Sequence, residues 1–401
     1  MVLNTNKHSL KISIIVSDLS SSGSGRWGGA VRPFLLAKAL QKMGHQVKIF
    51  GLGFGVQTPQ FSKDIPIVYI PSEYHSGIID ASKELISQID GDILYAIKPK
   101  TTSFGLAIIK KLTSGCPLIL DIDDWEMSWF GGDKWKFGFK PIKFIKEIVK
   151  EDGALRYPDH PLYLRWLEKF ISYADAVTTH NTFLQKKFGG VYIPQGKDLE
   201  LFNPSKFDPI TCKRKYGLEN YRVLMFPGAP RPYKGLEDLL EAMDLLQWED
   251  LKLVIVGGSP YDDYDKYLQE RWSKWIISIP PQPFEQMPEI ISCADVMVIP
   301  QRKTPETIAQ FPLKLTDAMA MAKPILATRV GDIPEVLQDT GYLVNPQSPE
   351  DLAQGIKTIF QGYQTAIDKG LKARERYFKY YSQEQMVFML DQVIASLPLK
   401  K

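Results

Sequence analysis

KISIIVSDLSSSGSGRWGGAVRPFLLAKALQKMGHQVKIF (Lys11–Phe50) is the stretch that decides the fold. Lys11–Val16 is a short, β-branched apolar run, and Asp18–Gly29 is a loop of serine and glycine. Ala30–Met43 then sets Val31, Phe34, Leu35, Ala39 and Leu40 close to helical spacing. Gly44 stops that helix, and Gln46–Phe50 reads as a second strand. Strand, glycine-rich turn, helix and strand make a βαβ unit, which implies a parallel sheet.

The same pattern extends outward. Strands are expected at Ile67–Ile70, Ile93–Ala96, Pro117–Ile122 and Ala176–Thr179, with a helix at Ser103–Leu112. A second series follows Asn203-Pro204, with strands at Arg222–Phe226, Leu251–Val256, Asp295–Ile299 and Pro324–Ala327 and helices at Leu236–Leu246 and Leu313–Met321. The 401 residues therefore read as two doubly wound α/β domains: 1–205, with an insertion at 125–152, and 206–380. Residues 381–401 read as a C-terminal helix that could cross back to the first domain.

Hydrophobic residues at 44% and charged residues at 24% match ordinary globular usage and exclude a largely disordered chain. Forty-nine Lys and Arg against 46 Asp and Glu leave +3, which gives no case for a nucleic-acid partner. Cys116, Cys212 and Cys293 lack metal-ligand spacing and read as reduced thiols. No apolar run is long enough for a membrane span, and Ile12–Val16 is too short for a signal-peptide core. A cytoplasmic protein is expected, with contact at the inner membrane face open.

Several segments carry chemistry. Ser20–Gly29 satisfies a G-x-G-x-x-G pattern whose backbone N–H groups could approach an anion, but no acidic residue closes the next strand, which disfavours a dinucleotide site. In Phe226–Gly235 (FPGAPRPYKG) a buried strand ends, Gly228 turns the chain, and Arg231 and Lys234 precede a helix. Open α/β sheets bind ligands at the C-terminal ends of their strands, and two cations there suit a diphosphate. Phe311–Thr328 brings Pro312 to a helix start, with Lys314 and Asp317 on the helix; Asp317 could accept hydrogen bonds from sugar hydroxyls. Asp121-Ile122-Asp123-Asp124 closes another strand. Asp121 and Asp123 share a face and could hold a divalent ion, but the favoured reading has Asp123 or Asp124 bind an acceptor hydroxyl or take its proton, or else cap local backbone. His180, after Ala176–Thr179, is placed at a rim near substrate.

Trp125–Asp152 departs from the plan, crowding Trp125, Trp129, Phe130, Trp135, Phe137, Phe139 and Phe144 among six lysines. It could wall a site for an apolar or lipid-linked acceptor, rest on an anionic membrane, or pack a small core of its own. Trp129 and Trp135, flanking Gly131-Gly132, are the candidates for acceptor contact.

In order along the chain, Gly28-Gly29, Arg231-x-x-Lys234-Gly235, Ala294-Asp295-Val296, Pro312-x-Lys314-Leu315-x-Asp317-Ala318-Met319-Ala320, Lys323-Pro324, Gly331 and Glu335 resemble the family-4 retaining glycosyltransferases. The resemblance runs from Lys11 to about Thr358. It implies a GT-B fold, two Rossmann-like domains facing a cleft, with a UDP- or GDP-sugar donor held by the second. Arg231 and Lys234 would stabilise the departing diphosphate, Gly28 and Gly29 would line the donor phosphates, and Asp317 would stand where the family has a ribose-binding glutamate. Transfer would retain anomeric configuration and need no metal or other cofactor. Where the family has a further glutamate eight positions before, this chain has Ala309, so donor-sugar contact falls to Gln310 or backbone amides. A nucleotide-sugar epimerase and a non-catalytic sugar-nucleotide-binding protein are the rival readings.

Overall fold

The computed structural model describes residues 9–20, 31–54, 64–73, 77–138, 141–150, 153–259 and 262–399, with backbone only for 141–143. Gly28 and Gly29 lie outside these residues. The chain divides into two compact units, Met1–Ile193 with Met386–Lys401, and Pro194–Gln385. The divisions thus fall at 193/194 and 385/386 rather than at 205/206 and 380/381.

The first unit holds β1 (Lys11–Val16), β2 (Gln46–Phe54), β3 (Ile67–Ser72), β4 (Ile93–Ile97), β5 (Leu118–Ile122), β6 (Ala176–Thr179) and β7 (Val191–Tyr192). They form one parallel sheet in the order β3-β2-β1-β4-β5-β6-β7. β4 and β5 are buried along their whole length, as expected of strands covered on both faces. Helix Val31–Lys42 packs Leu35, Leu36, Ala39 and Leu40 into this core. The C-terminal helix Gln383–Ala395 adds Met386, Val387, Leu390, Val393 and Ile394 to the same cluster, joined by Leu397.

The second unit holds β8 (Arg222–Pro227), β9 (Leu251–Val256), β10 (Ile276–Ile279), β11 (Val296–Ile299), β12 (Ile325–Thr328) and β13 (Tyr342–Val344). Its parallel sheet runs β10-β9-β8-β11-β12-β13, which repeats the arrangement of the first six strands. Both sheets therefore reverse direction beside their first strand, at β1/β4 and β8/β11, where doubly wound sheets take ligands. The strands absent from the sequence reading, β7, β10 and β13, are all edge strands of two to four residues, too short to show a periodic signal.

Candidate functional site

In the second unit, Gly228 follows β8 at φ 111°, and Gly235 precedes helix Leu236–Leu246 at φ 71°. A Cβ on Gly235 would lie 1.9 Å from the Pro300 carbonyl, so only glycine lets this turn close on the end of β11. Arg302 secures the turn: its N–H donates to the Tyr233 carbonyl at 3.0 Å, and its guanidinium grips Asp238 at 2.6 and 2.9 Å. Within the turn, Lys234 Nζ donates to the Ala229 carbonyl at 2.7 Å. Burial, with Arg231 adding to it, lowers Lys234 to about 8. Arg231 meets Asp262 at 2.5 Å.

Helix Leu313–Ala320 supplies the third cation. Lys314 Nζ sits 3.3 Å from the Phe226 ring centroid, and burial, then Lys234, push its pKa well below the ordinary lysine value. One turn on, Asp317 Oδ1 lies 2.6 Å from Lys197 Nζ, whose side chain is 3% exposed. That ammonium is 5.3 and 5.2 Å from the Phe202 and Phe284 ring centroids, and the Lys197 N–H donates to the Tyr377 hydroxyl at 2.7 Å. Asp317 is thus already a partner of a buried cation. Gln310 is half-buried and extended just after helix Pro305–Ala309, while Ala309 is fully buried. Gln301, past the end of β11, is buried with its side-chain oxygen lacking a hydrogen-bond partner among the described residues.

The first unit gathers charge at the ends of β4 and β5. Asp121 is locked beneath the sheet edge: Arg32 donates to both its oxygens at 3.0 and 2.8 Å, and Thr178 donates at 2.6 Å. Both groups of the Arg32–Asp121 pair are at most 1% exposed. This structural role removes Asp121 from a divalent pair with Asp123. Lys98 holds φ 68°, a strained conformation for a non-glycine residue. Its ammonium stands 2.8 Å from Glu126, 3.6 Å from Asp124 and 3.9 Å from Asp123. Lys100 bridges Asp159 at 2.8 Å and Glu126 at 3.2 Å. Burial opposes the charge on Lys98, but Glu126, Asp123 and Asp124 outweigh it and hold its pKa well above the ordinary value. Burial raises Asp123 to about 7 against the pull of Lys98, with Asp121 and Asp124 adding to the rise. Burial would raise Glu126 too, but Lys100 and Lys98 hold it at about 2. Asp123 is 8% exposed, and its Oδ1 accepts no hydrogen bond among the described residues. His180 is 2% exposed rather than at an open rim; burial, Arg32 and Lys98 keep it neutral, and it bonds the Ile122 carbonyl.

The insertion packs partly on itself and partly on the elements that follow it. Trp125 is buried against Phe183 at 5.5 Å and donates to Glu168 at 2.9 Å. Half-buried Trp135 meets Phe137 at 6.2 Å, and Phe137 meets Phe144 and His160 at 5.9 and 6.3 Å. Trp129 is 43% exposed.

Comparison with known proteins places this architecture. Anabaena Alr3699/HepE, solved with UDP and glucose, superimposes with a TM-score of 0.74 at 17% identity, over 97% of this chain and all of that one. The fold is GT-B. Within it, residues 221–361 match the family described as Glycosyl transferases group 1, a stretch inside the second unit that includes Arg231, Lys234, Lys314 and Asp317. D-inositol 3-phosphate glycosyltransferase of Corynebacterium glutamicum (strain R) is 28% identical over 198 residues, 46% of each chain. Sulfoquinovosyl transferase SQD2 of Arabidopsis thaliana is 24% identical over 363 residues, 85% of this chain and 65% of that protein. The chain spans about half the length of the first two curated relatives it matches.

On this GT-B scaffold the structure brings Arg231, Lys234, Lys314 and Gly228 to one end of β8, and Asp123 and Asp124 to the end of β5. Lys98, Lys100, Glu126, Asp159, Lys197 and Gln301 escaped the sequence reading. Lys98-Pro99-Lys100 directly follows β4, so the rule that ligands meet C-terminal strand ends marks it once the strand is placed. Lys197 gives no such signal, since only the tertiary fold brings it to Asp317.

Proposed function

We propose that the chain is a retaining glycosyltransferase that moves a sugar from a UDP- or GDP-sugar to a hydroxyl of an apolar or lipid-linked acceptor without a metal. The observation that carries this reading is the cation group Arg231, Lys234 and Lys314 at the end of β8, two of them desolvated lysines with lowered pKa values. Desolvated lysines are costly in an empty site and favourable once a diphosphate supplies the opposite charge. In this reading the same three groups neutralise the leaving diphosphate, the part a metal would otherwise play.

In this reading the bond from the anomeric carbon to the diphosphate oxygen breaks as charge develops on that oxygen. Arg231 takes phosphate oxygens in bidentate fashion and the two lysines add point charges. Asp317, held by Lys197, accepts from the ribose hydroxyls, and Gln310 contacts the donor sugar. The acceptor oxygen bonds the anomeric carbon on the face the diphosphate leaves, which preserves configuration. Its proton passes to Asp123, whose pKa near 7 suits a base at neutral pH. Trp129 and Trp135 contact the acceptor. His180 supports this edge from within.

Buried Ala309, which offers no polar group to a donor sugar, favours a second reading as a non-catalytic sugar-nucleotide binder. Turnover separates the two. The purified chain incubated with UDP- and GDP-sugars and a detergent-like alkyl glycoside should release free nucleoside diphosphate and form a glycoside of the donor's anomeric configuration. Arg231→Ala should slow release by about 10²–10³-fold. Tight nucleotide binding without diphosphate release would favour the binder.

A further inference from the structure

We propose that helix Pro141–Val149 is an interfacial anchor that lays its outward face on a lipid bilayer bearing anionic headgroups. Ile145, Ile148 and Val149, at i, i+3 and i+4, form one stripe, and it points away from the protein: they are 62%, 46% and 71% exposed. Phe144 and Glu147 turn inward instead. Phe144 meets Phe137 edge-on at 5.9 Å, and Glu147 accepts the Ala154 N–H at 2.9 Å. An amphipathic helix of a water-soluble domain ordinarily buries its apolar stripe, so this helix presents the inverse arrangement.

Charge decides what covers it. Lys146 and Lys150 form an exposed row beside the stripe, and exposed Lys134 and Lys136 precede the helix. The one acid of the helix, Glu147, is the residue turned inward, and Asp133 is engaged by Arg165 at 3.0 Å and Lys187 at 2.7 Å. Glu151 and Asp152 lie outside the described residues. An outward face of aliphatic side chains flanked by lysine stems fits the boundary between acyl chains and anionic headgroups. A two-fold contact between copies would instead set Lys146 and Lys150 near their own counterparts. Trp129, Phe130 and Trp166, 43%, 42% and 48% exposed on other elements of the same unit, are of the types that apolar faces at membrane interfaces carry.

The inference is independent of the donor chemistry and is tested on the full chain by cosedimentation with vesicles, one set of phosphatidylcholine and one mixed with phosphatidylglycerol. Binding should favour the anionic set and weaken as salt rises. Lys146→Ser with Lys150→Ser should weaken it by about fivefold per lysine, and Ile145→Ser with Ile148→Ser and Val149→Ser should abolish it. These side chains are exposed, so circular dichroism should report an unchanged fold for both variants. Absence of cosedimentation at low salt, or equal binding by wild type and both variants, overturns the proposal. So does a concentration-dependent dimer that the aliphatic variant dissociates, which would make a second copy the occupant.

Discussion

In the proposed mechanism Asp123 serves function at the expense of stability. Its pKa near 7 means that the folded chain binds a proton that the unfolded chain, with an ordinary value of 3.8, releases. Between those values the fold therefore loses stability as pH rises, and above about 7 the buried anion remains a fixed cost. Asp123→Asn removes that cost. The variant should melt higher at pH 8, by about 2–4 °C for each kcal/mol of that cost, the gap closing toward pH 4, while transfer falls by about 10²-fold or more. A lower melting temperature at pH 8 would make Asp123 a structural cap. Residues at strand ends such as Asp123, Asp124, Arg231 and Lys234 were legible in the sequence because the apolar run before each marks where the sheet stops. Lys197 was not. Its meaning lies in Asp317 and Phe284, both too distant in sequence to leave a pattern beside it.

At the scale of elements, the turn between β8 and helix Leu236–Leu246 holds Arg231 and Lys234. Lys234, lowered to about 8 by burial and Arg231, must be protonated to meet a diphosphate. UDP affinity should therefore fall as pH rises through about 8, with proton uptake on binding visible as a buffer-dependent heat in titration calorimetry. Affinity flat from pH 7 to 9.5 would place Lys234 away from the nucleotide. The turn itself was readable, since glycine is required where φ is positive and where Pro300 approaches. Buried strands such as Lys11–Val16 and Leu251–Val256 appear with the bounds their apolar runs gave. β10 and β13 did not, because edge strands are held by one neighbour and need no long apolar run.

At the scale of the whole molecule, two sheets of equivalent strand order arise from halves without evident sequence likeness, because alternating strand and helix with buried strand faces is enough to specify a doubly wound sheet. The unit boundaries were less legible: the chain leaves the first sheet by a two-residue edge strand and returns only with its last helix. Met386, Val387, Leu390, Val393, Ile394 and Leu397 are buried in the first unit's core. Each contributes about 1.5–3 kcal/mol, against about 5–15 kcal/mol for a whole domain. A chain ending at Gln385 should lose the N-terminal unit's calorimetric transition and keep that of the other unit; two intact transitions would contradict the packing.

The central claim, that the second unit cradles a nucleoside diphosphate on Arg231, Lys234 and Lys314, is tested most directly by titration calorimetry of the full chain with UDP, GDP and the corresponding nucleosides. The account predicts that one diphosphate binds at least about 100-fold more tightly than its nucleoside, and that Arg231→Ala and Lys314→Met each erase most of that difference. Equal binding of nucleoside and diphosphate, or a preference that survives both substitutions, would contradict it.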